Sequence, residues 1–131
     1  MNIRYQFYNP HPQQKLVGDC VKRALVKATG NSYRDVQIEL NRIKRELGEK
    51  CYTRDRVWRE YLKRHNFLKV SYPAVAGKKR MNVERMAEEN NYNDVYVCQC
   101  AHHLVCVTNN KYWDTWDSGE KCVYIAYKKI N

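Results

Sequence analysis

The sequence predicts a single α+β domain over residues 1–131, with N-terminal helices packed on a C-terminal antiparallel β-sheet. Apolar residues recur at helical spacing in the first half of the chain, and strand-forming residues dominate from Asp94 onward. A length of 131 residues suits one hydrophobic core. With 44% hydrophobic and 29% charged residues, the composition is that of a globular protein and excludes wholesale disorder.

Four helices are predicted, and each has a recognisable boundary residue. The apolar spacing covers residues 21–28, 36–47, 57–62 and 83–87. Gly30 stops the first helix, while Ser32, Thr53 and Asn82 can cap the second, third and fourth. Residues 1–18 contain two prolines and are expected to be irregular.

The sheet is predicted to be a meander that follows the helices. A short strand is expected at residues 67–72, before Pro73, and several more from residue 95 onward. Asn109 and Asn110 separate two strand-forming runs and suit a two-residue hairpin turn, because asparagine tolerates positive φ. Ser118-Gly119 marks a further turn.

The compartment is predicted from what the sequence lacks. No apolar run is long enough to cross a membrane, and the first residues do not form a signal peptide. The six cysteines do not have the spacing of a disulfide scaffold. We therefore expect a soluble cytoplasmic protein with reduced thiols and no membrane contact.

The net charge of +10 is concentrated in the middle of the chain. Residues 42–85 carry 14 basic and 5 acidic side chains. Such a block predicts either a solvated helix face or a surface that binds nucleic acid or an acidic protein partner. The candidate residues for this basic surface are Arg54, Arg56, Arg59, Lys63, Arg64, Lys78, Lys79 and Arg80.

Cys20 is the candidate nucleophile. It follows Gly18-Asp19 and opens the first predicted helix, where the helix dipole and free backbone N–H groups favour a thiolate. A thiolate in this position is suited to covalent catalysis. The alternative is that Cys20 is a small buried hydrophobic residue.

His103 is the candidate base, and an aspartate on the next strand is its candidate partner. A two-residue turn at Asn109-Asn110 places position 105 opposite Asp114, so that Asp114 lies diagonal to His103 on one face. A three-residue turn shifts the pairing and makes Asp117 the partner instead. His102 is a second candidate for the base, since it precedes His103 directly.

Two further groups of residues have chemical potential. The amide of Gln14 could donate to an oxyanion together with the backbone N–H of Cys20, although Gln13 is an alternative. Cys98, Cys100 and His102 share one face of a strand and could approach a metal. Because the usual C-x-x-C spacing is absent, we expect no metal and no cofactor.

The order Gln14, Cys20, His103, Asp114 resembles the papain-like cysteine peptidase superfamily. The segment from Gln14 to Ala24 is similar to bacteriocin-processing double-glycine peptidases, and residues 103–117 resemble small papain-fold proteins of bacteria and phages. The similarity covers about a third of the chain, at its two ends. The family more often has glycine before the histidine, whereas this chain has Ala101-His102-His103 and so leaves two histidines as candidates.

The resemblance implies a papain-like fold and a thiol hydrolase. Cys20 would be the nucleophile, His103 the general base and then acid, Asp114 the orienting residue and Gln14 an oxyanion donor. The substrate would be an amide or isopeptide of a peptide or protein. The alternative function is an inactive papain fold, or a basic module that binds nucleic acid or an acidic protein.

Overall fold

The computed structural model describes residues 3–130 and has an α+β architecture. The first two residues and the last residue of the domain predicted over residues 1–131 lie outside this range. The elements in chain order are β1 (Tyr5–Phe7), α1 (Cys20–Thr29), α2 (Tyr33–Glu46), α3 (Asp55–Arg64), β2 (Phe67–Ser71), α4 (Val83–Glu89), β3 (Val95–Cys100), β4 (His103–Thr108), β5 (Lys111–Asp114) and β6 (Ile125–Lys129). In the described range, no helix combines the length and the apolar character needed to cross a bilayer.

Three of the four predicted helix boundaries are confirmed. Gly30 ends α1 in the left-handed region, with φ of 76°. The Ser32 hydroxyl accepts the backbone N–H of Asp35, and the Asn82 side chain accepts that of Arg85. The predicted Thr53 cap is wrong, because Arg54 occupies the cap position and makes no side-chain bond there.

The sheet has six strands in the order β1-β5-β4-β3-β6-β2 and is mixed rather than purely antiparallel. β1 pairs in parallel with β5, so the segment predicted to be irregular contains an edge strand. Three residues are too few for an alternating pattern to reveal this strand in the sequence. The meander is also interrupted, because β6 returns to lie between β3 and β2.

The sheet separates two hydrophobic cores. Helices α1, α2 and α3 supply the larger core, in which Leu40, Ile43 and Tyr61 have no solvent exposure. Helix α4 covers the opposite face through Val83 and Met86. Because side chains alternate along each strand, β3 and β4 contribute residues to both cores.

The hairpin of β4 and β5 fixes the position of Asp114. Asn109 and Asn110 form its two-residue turn with φ values of 58° and 57°, which is the type I′ geometry. Thr108 pairs with Lys111 and Cys106 with Trp113. The predicted two-residue register is therefore confirmed, and its continuation sets Asp114 opposite position 105.

Candidate active site

Cys20, His103 and Asp114 meet where α1 begins, β4 begins and β5 ends. Cys20 and His103 line one open cleft of about 550 Å³. The other walls of the cleft come from the start of α3 and from the turn between β3 and β4. The lining residues on those walls include Thr53, Asp55, Trp58, Gln99, Ala101 and His102.

The Cys20 thiol lies between a ring nitrogen and a backbone donor. Burial of this side chain raises its pKa, whereas hydrogen bonds from His103 and from the backbone N–H of Leu104 lower it. The positive charges of His103 and Arg23 act in the same direction as the hydrogen bonds. The pKa of Cys20 is consequently below the ordinary value for a cysteine, which favours the nucleophilic thiolate.

The His103 ring is held by Asp114. Its Nε2 donates to Oδ2 of Asp114 at 2.6 Å, which leaves Nδ1 as the ring nitrogen for the thiol. Burial lowers the pKa of His103, but the hydrogen bonds and charges of Asp114 and Cys20 raise it to about 9. The Trp116 ring packs beside the imidazole, with 5.0 Å between ring centroids. These contacts therefore favour the protonated form of His103.

The carboxylate of Asp114 has no solvent exposure and accepts four hydrogen bonds. Its Oδ2 accepts from His103 and from the Ser118 hydroxyl at 2.7 Å. Its Oδ1 accepts from an Nη2 of Arg23 at 2.9 Å and from the backbone N–H of Thr115 at 2.8 Å. Burial raises the pKa of Asp114, but these partners lower it below the usual range, so the carboxylate stays ionised.

Neither of the two alternative residues, Asp117 and His102, belongs to the hydrogen-bond series around His103. Asp117 is exposed, and its carboxylate accepts the Tyr112 hydroxyl and the backbone N–H of Gly119. His102 is exposed in the β3–β4 turn, with φ of 53°. The structure thus places His103 rather than His102 beside the thiol, and Asp114 rather than Asp117 beside His103.

The prediction for Gln14 is wrong about its position. Gln14 lies in an exposed turn with φ of 58°, and its amide donates to the carbonyl of His11. Within residues 3–130, the residues that line the cleft do not include Gln14. Gln99 lines it instead, because strand β3 brings this glutamine to the turn beside His103.

A buried arginine beside the site was missed in the sequence. Arg23 is 4% exposed and bridges Asp114 to Asp19, with an Nη1 to Oδ1 distance of 2.7 Å on the Asp19 side. Asp19 is also buried and accepts the Tyr33 hydroxyl at 2.9 Å. The signal available in the sequence is the opposite charge of residues 19 and 23, one helical turn apart.

Most of the predicted basic surface on α3 is neutralised by carboxylates. Arg56 pairs with Glu49 at 2.7 Å, and Arg59 pairs with Asp55 at 3.4 Å. Arg64 pairs with both Glu46 and Glu60, at 2.8 Å each. These three arginines of the predicted basic surface therefore share their charge with neighbouring carboxylates. Other members of the predicted surface, Arg54, Lys63, Lys78 and Lys79, are exposed.

The cysteines considered as metal ligands are packing residues. Cys98 and Cys100 are buried in the α4-side core, whereas His102 points from an exposed turn. Burial raises the pKa of Cys98 well above its ordinary value and that of Cys100 to about 12. Over the described range, no three histidine, cysteine or acidic side chains converge as a metal site would require.

Comparisons with protein-family models, with curated proteins and with solved structures find no match for this chain. The family resemblance drawn from the sequence therefore stays a hypothesis. Function is argued below from the contacts of the chain's own residues.

The first prediction separates Asp114 from Asp117. We expect Asp114→Asn to lower the pKa of His103 from about 9 toward the ordinary 6.5, because the neutral amide no longer stabilises the imidazolium. The matched variant Asp117→Asn should leave it near 9. Proton NMR titration of the His103 ring measures both. A lowered pKa in Asp117→Asn alone would contradict the assignment of Asp114.

The same shift has a consequence for stability. Because the pKa of His103 is higher in the folded than in the unfolded chain, its pairing stabilises the fold fully below about pH 6.5. This contribution is lost as the pH rises through about 9. We expect the wild-type advantage over Asp114→Asn in free energy of unfolding to shrink over that interval.

Proposed function

We propose that the protein is a papain-like thiol hydrolase that cleaves or transfers an amide or isopeptide acyl group. The observation that carries the proposal is the contact series Cys20, His103, Asp114 at an open cleft, with the thiol pKa lowered and the imidazole pKa raised. Perturbed titratable groups that share one cleft are typical of catalytic sites. The order of these residues in the chain supports the papain-like resemblance.

The chemistry proceeds by covalent catalysis. The Cys20 thiolate attacks the carbonyl carbon, forming a C–S bond and a tetrahedral oxyanion. The imidazolium of His103 gives its proton to the leaving nitrogen as the C–N bond breaks, leaving a thioester. Water then attacks the thioester while His103 takes its proton, and the C–S bond breaks to release the acid and restore the thiolate. Asp114 stays ionised throughout and orients the ring.

The oxyanion would be stabilised at the start of α1. Asp19 stands at the cap position but makes no side-chain capping bond, because its carboxylate binds Arg23 and Tyr33. The first N–H groups of the helix are thus left without a side-chain cap beside Cys20. We propose Gln99 as a second donor, since Arg59 holds its Oε1 at 3.2 Å and the amide nitrogen has only a long 3.5 Å contact to Asp55.

The proposed reaction needs a reduced thiol. All six cysteines are free, and Cys20 is partly exposed to the cleft. Oxidation would remove the thiolate on which the attack depends. A reducing compartment, such as the cytoplasm of a bacterium or of a phage host, would suit this chemistry.

The experiment that tests the proposed function combines labelling with turnover. In a Cys51→Ser background, we expect iodoacetamide at pH 6 to alkylate Cys20 faster than the remaining cysteines, as read by peptide mass spectrometry. Cys20→Ala should reduce cleavage of a diverse peptide and isopeptide library to background without lowering the melting temperature. A Cys51→Ser variant is the matched control and should retain turnover. Equal turnover in wild type and Cys20→Ala would disprove the proposal.

A further prediction distinguishes the two glutamines. We expect Gln99→Ala to lower kcat by about 10²–10³, the usual loss on removing one oxyanion donor. Gln14→Ala should leave kcat unchanged, because Gln14 lies outside the cleft. Steady-state kinetics on the best library substrate measure both. A loss in Gln14→Ala with none in Gln99→Ala would reverse the assignment.

The basic loop at residues 77–80 is favoured as a binding element by one contact. The guanidinium of Arg80 lies 4.8 Å from the centroid of the Tyr124 ring, and Tyr124 lines the cleft. Lys78 and Lys79 are exposed in the same loop. We propose that this loop attracts an acidic segment of a protein substrate, with nucleic acid as the competing partner.

Charge reversal tests this loop. We expect Lys78→Glu/Lys79→Glu to elute from heparin at lower salt and to slow cleavage of acidic peptides relative to neutral ones. Lys50→Glu/Lys69→Glu makes the same charge change at exposed sites outside the loop and should leave the peptide preference unchanged. Displacement of the acidic peptide by short DNA or RNA at equal charge would favour nucleic acid instead. If Lys78→Glu/Lys79→Glu keeps the peptide preference of the wild type, the proposed role of the loop is refuted.

A further inference from the structure

Arg23 is a buried arginine that lies next to the candidate site. Its side chain is 4% exposed, and its two terminal nitrogens bind two carboxylates that are themselves buried, Asp19 and Asp114. Buried arginine is rare because removal from water costs more than a surface ion pair returns. Neutral, well-packed side chains in place of all three charged groups would cost less, which points to a role of this arginine in the neighbouring site.

We infer that Arg23 is a positioning residue that holds Asp114 against His103 and thereby sets the ionisation of the Cys20–His103 pair. The inference rests on the proposed function and deepens it. Arg23 itself touches neither the thiol nor the imidazole by hydrogen bond. It acts through Asp114, whose Oδ1 it binds while Oδ2 faces His103.

The geometry explains why this role needs a guanidinium. Nη1 reaches Asp19 at 2.7 Å and Nη2 reaches Asp114 at 2.9 Å, so one rigid plane spans both carboxylates. The Tyr33 hydroxyl fixes the far side of Asp19. Lysine would bring the same charge but only a single nitrogen, and would not hold both partners in one orientation.

Arg23 lies on the same helix as the nucleophile. Arg23 and Cys20 lie three residues apart on α1, so both rise from the first turns of one helix. The bond from Arg23 to Asp114 joins that helix to the end of β5. Any movement of α1 relative to the sheet would therefore disturb the thiol and the orienting carboxylate together. The positive charge of Arg23 also favours the Cys20 thiolate.

The test measures the pH profile of Cys20 alkylation by iodoacetamide, a neutral reagent, in a Cys51→Ser background. Arg23→Gln alone leaves two buried carboxylates unneutralised and is expected to lose stability. The informative variant is therefore Asp19→Asn/Arg23→Gln, which keeps the local charge balance. We expect it to melt close to wild type, with an apparent Cys20 pKa about one unit higher and about tenfold slower labelling at pH 6.

Two further variants complete the design. Arg23→Lys should give a profile between wild type and the double variant, because it restores charge without the two-armed contact. Arg85→Gln removes an exposed arginine paired with Glu89 and should not change the profile. A wild-type profile in the folded Asp19→Asn/Arg23→Gln protein would overturn the inference. Arg23 would then serve only to neutralise the buried carboxylates. A wild-type profile in Arg23→Lys would overturn the requirement for the two-armed contact.

Failure of the inference and failure of the proposed function give different results. If His103→Ala leaves the wild-type Cys20 profile unchanged, no functional thiol–imidazole pair exists. Both the proposed function and the positioning role of Arg23 are then disproved. If His103→Ala raises the apparent Cys20 pKa while the Arg23 variants do not, the proposed function stands and only the positioning role is lost.

Discussion

The ionised carboxylate of Asp114, buried and bound by four donors, is the interaction on which the site depends. Contacts run from Asp19 through Arg23 and Asp114 to His103 and finally to Cys20. With the thiol ionised and the imidazole protonated, these five groups alternate in sign. In a site largely shielded from water, each group is then stabilised by neighbours of opposite charge. The thiolate–imidazolium form completes this alternation, whereas the neutral pair breaks it.

Strand register, rather than loop conformation, positions Asp114 within this series of alternating charges. The two-asparagine turn between β4 and β5 fixes which face Asp114 occupies, and a slip by one residue would turn its side chain to the opposite face. β1 pairs with the outer edge of β5, and the backbone N–H of Tyr8 donates to the carbonyl of Asp114 at 2.9 Å. The short edge strand thus holds the residue that orients His103, which gives the irregular lead-in a structural purpose.

The sequence was sufficient for features that depend on local patterns and insufficient for those that depend on tertiary contact. Helical spacing, the Ser32 cap and the Asn109-Asn110 register are local, and the structure confirms each of them. Whether a glutamine reaches the cleft depends on how the lead-in folds, so the choice between Gln14 and Gln99 could not be made from spacing. The role of Arg23 could not be found in the sequence, because its second carboxylate partner lies 91 positions away along the chain.

The cysteines of the chain show why a low thiol pKa alone does not make a hydrolase. Burial raises the pKa of Cys98, Cys100 and Cys106, and these thiols stay protonated in the cores. Cys51 is exposed and its pKa is lowered, chiefly by hydrogen bonds with Thr53. Thr53 offers no proton that a leaving amine could take at neutral pH, so a thiolate at Cys51 can be alkylated but cannot expel nitrogen from an amide. At Cys20 the group that stabilises the thiolate, the His103 imidazolium, is also the acid that the proposed cleavage of the C–N bond would require.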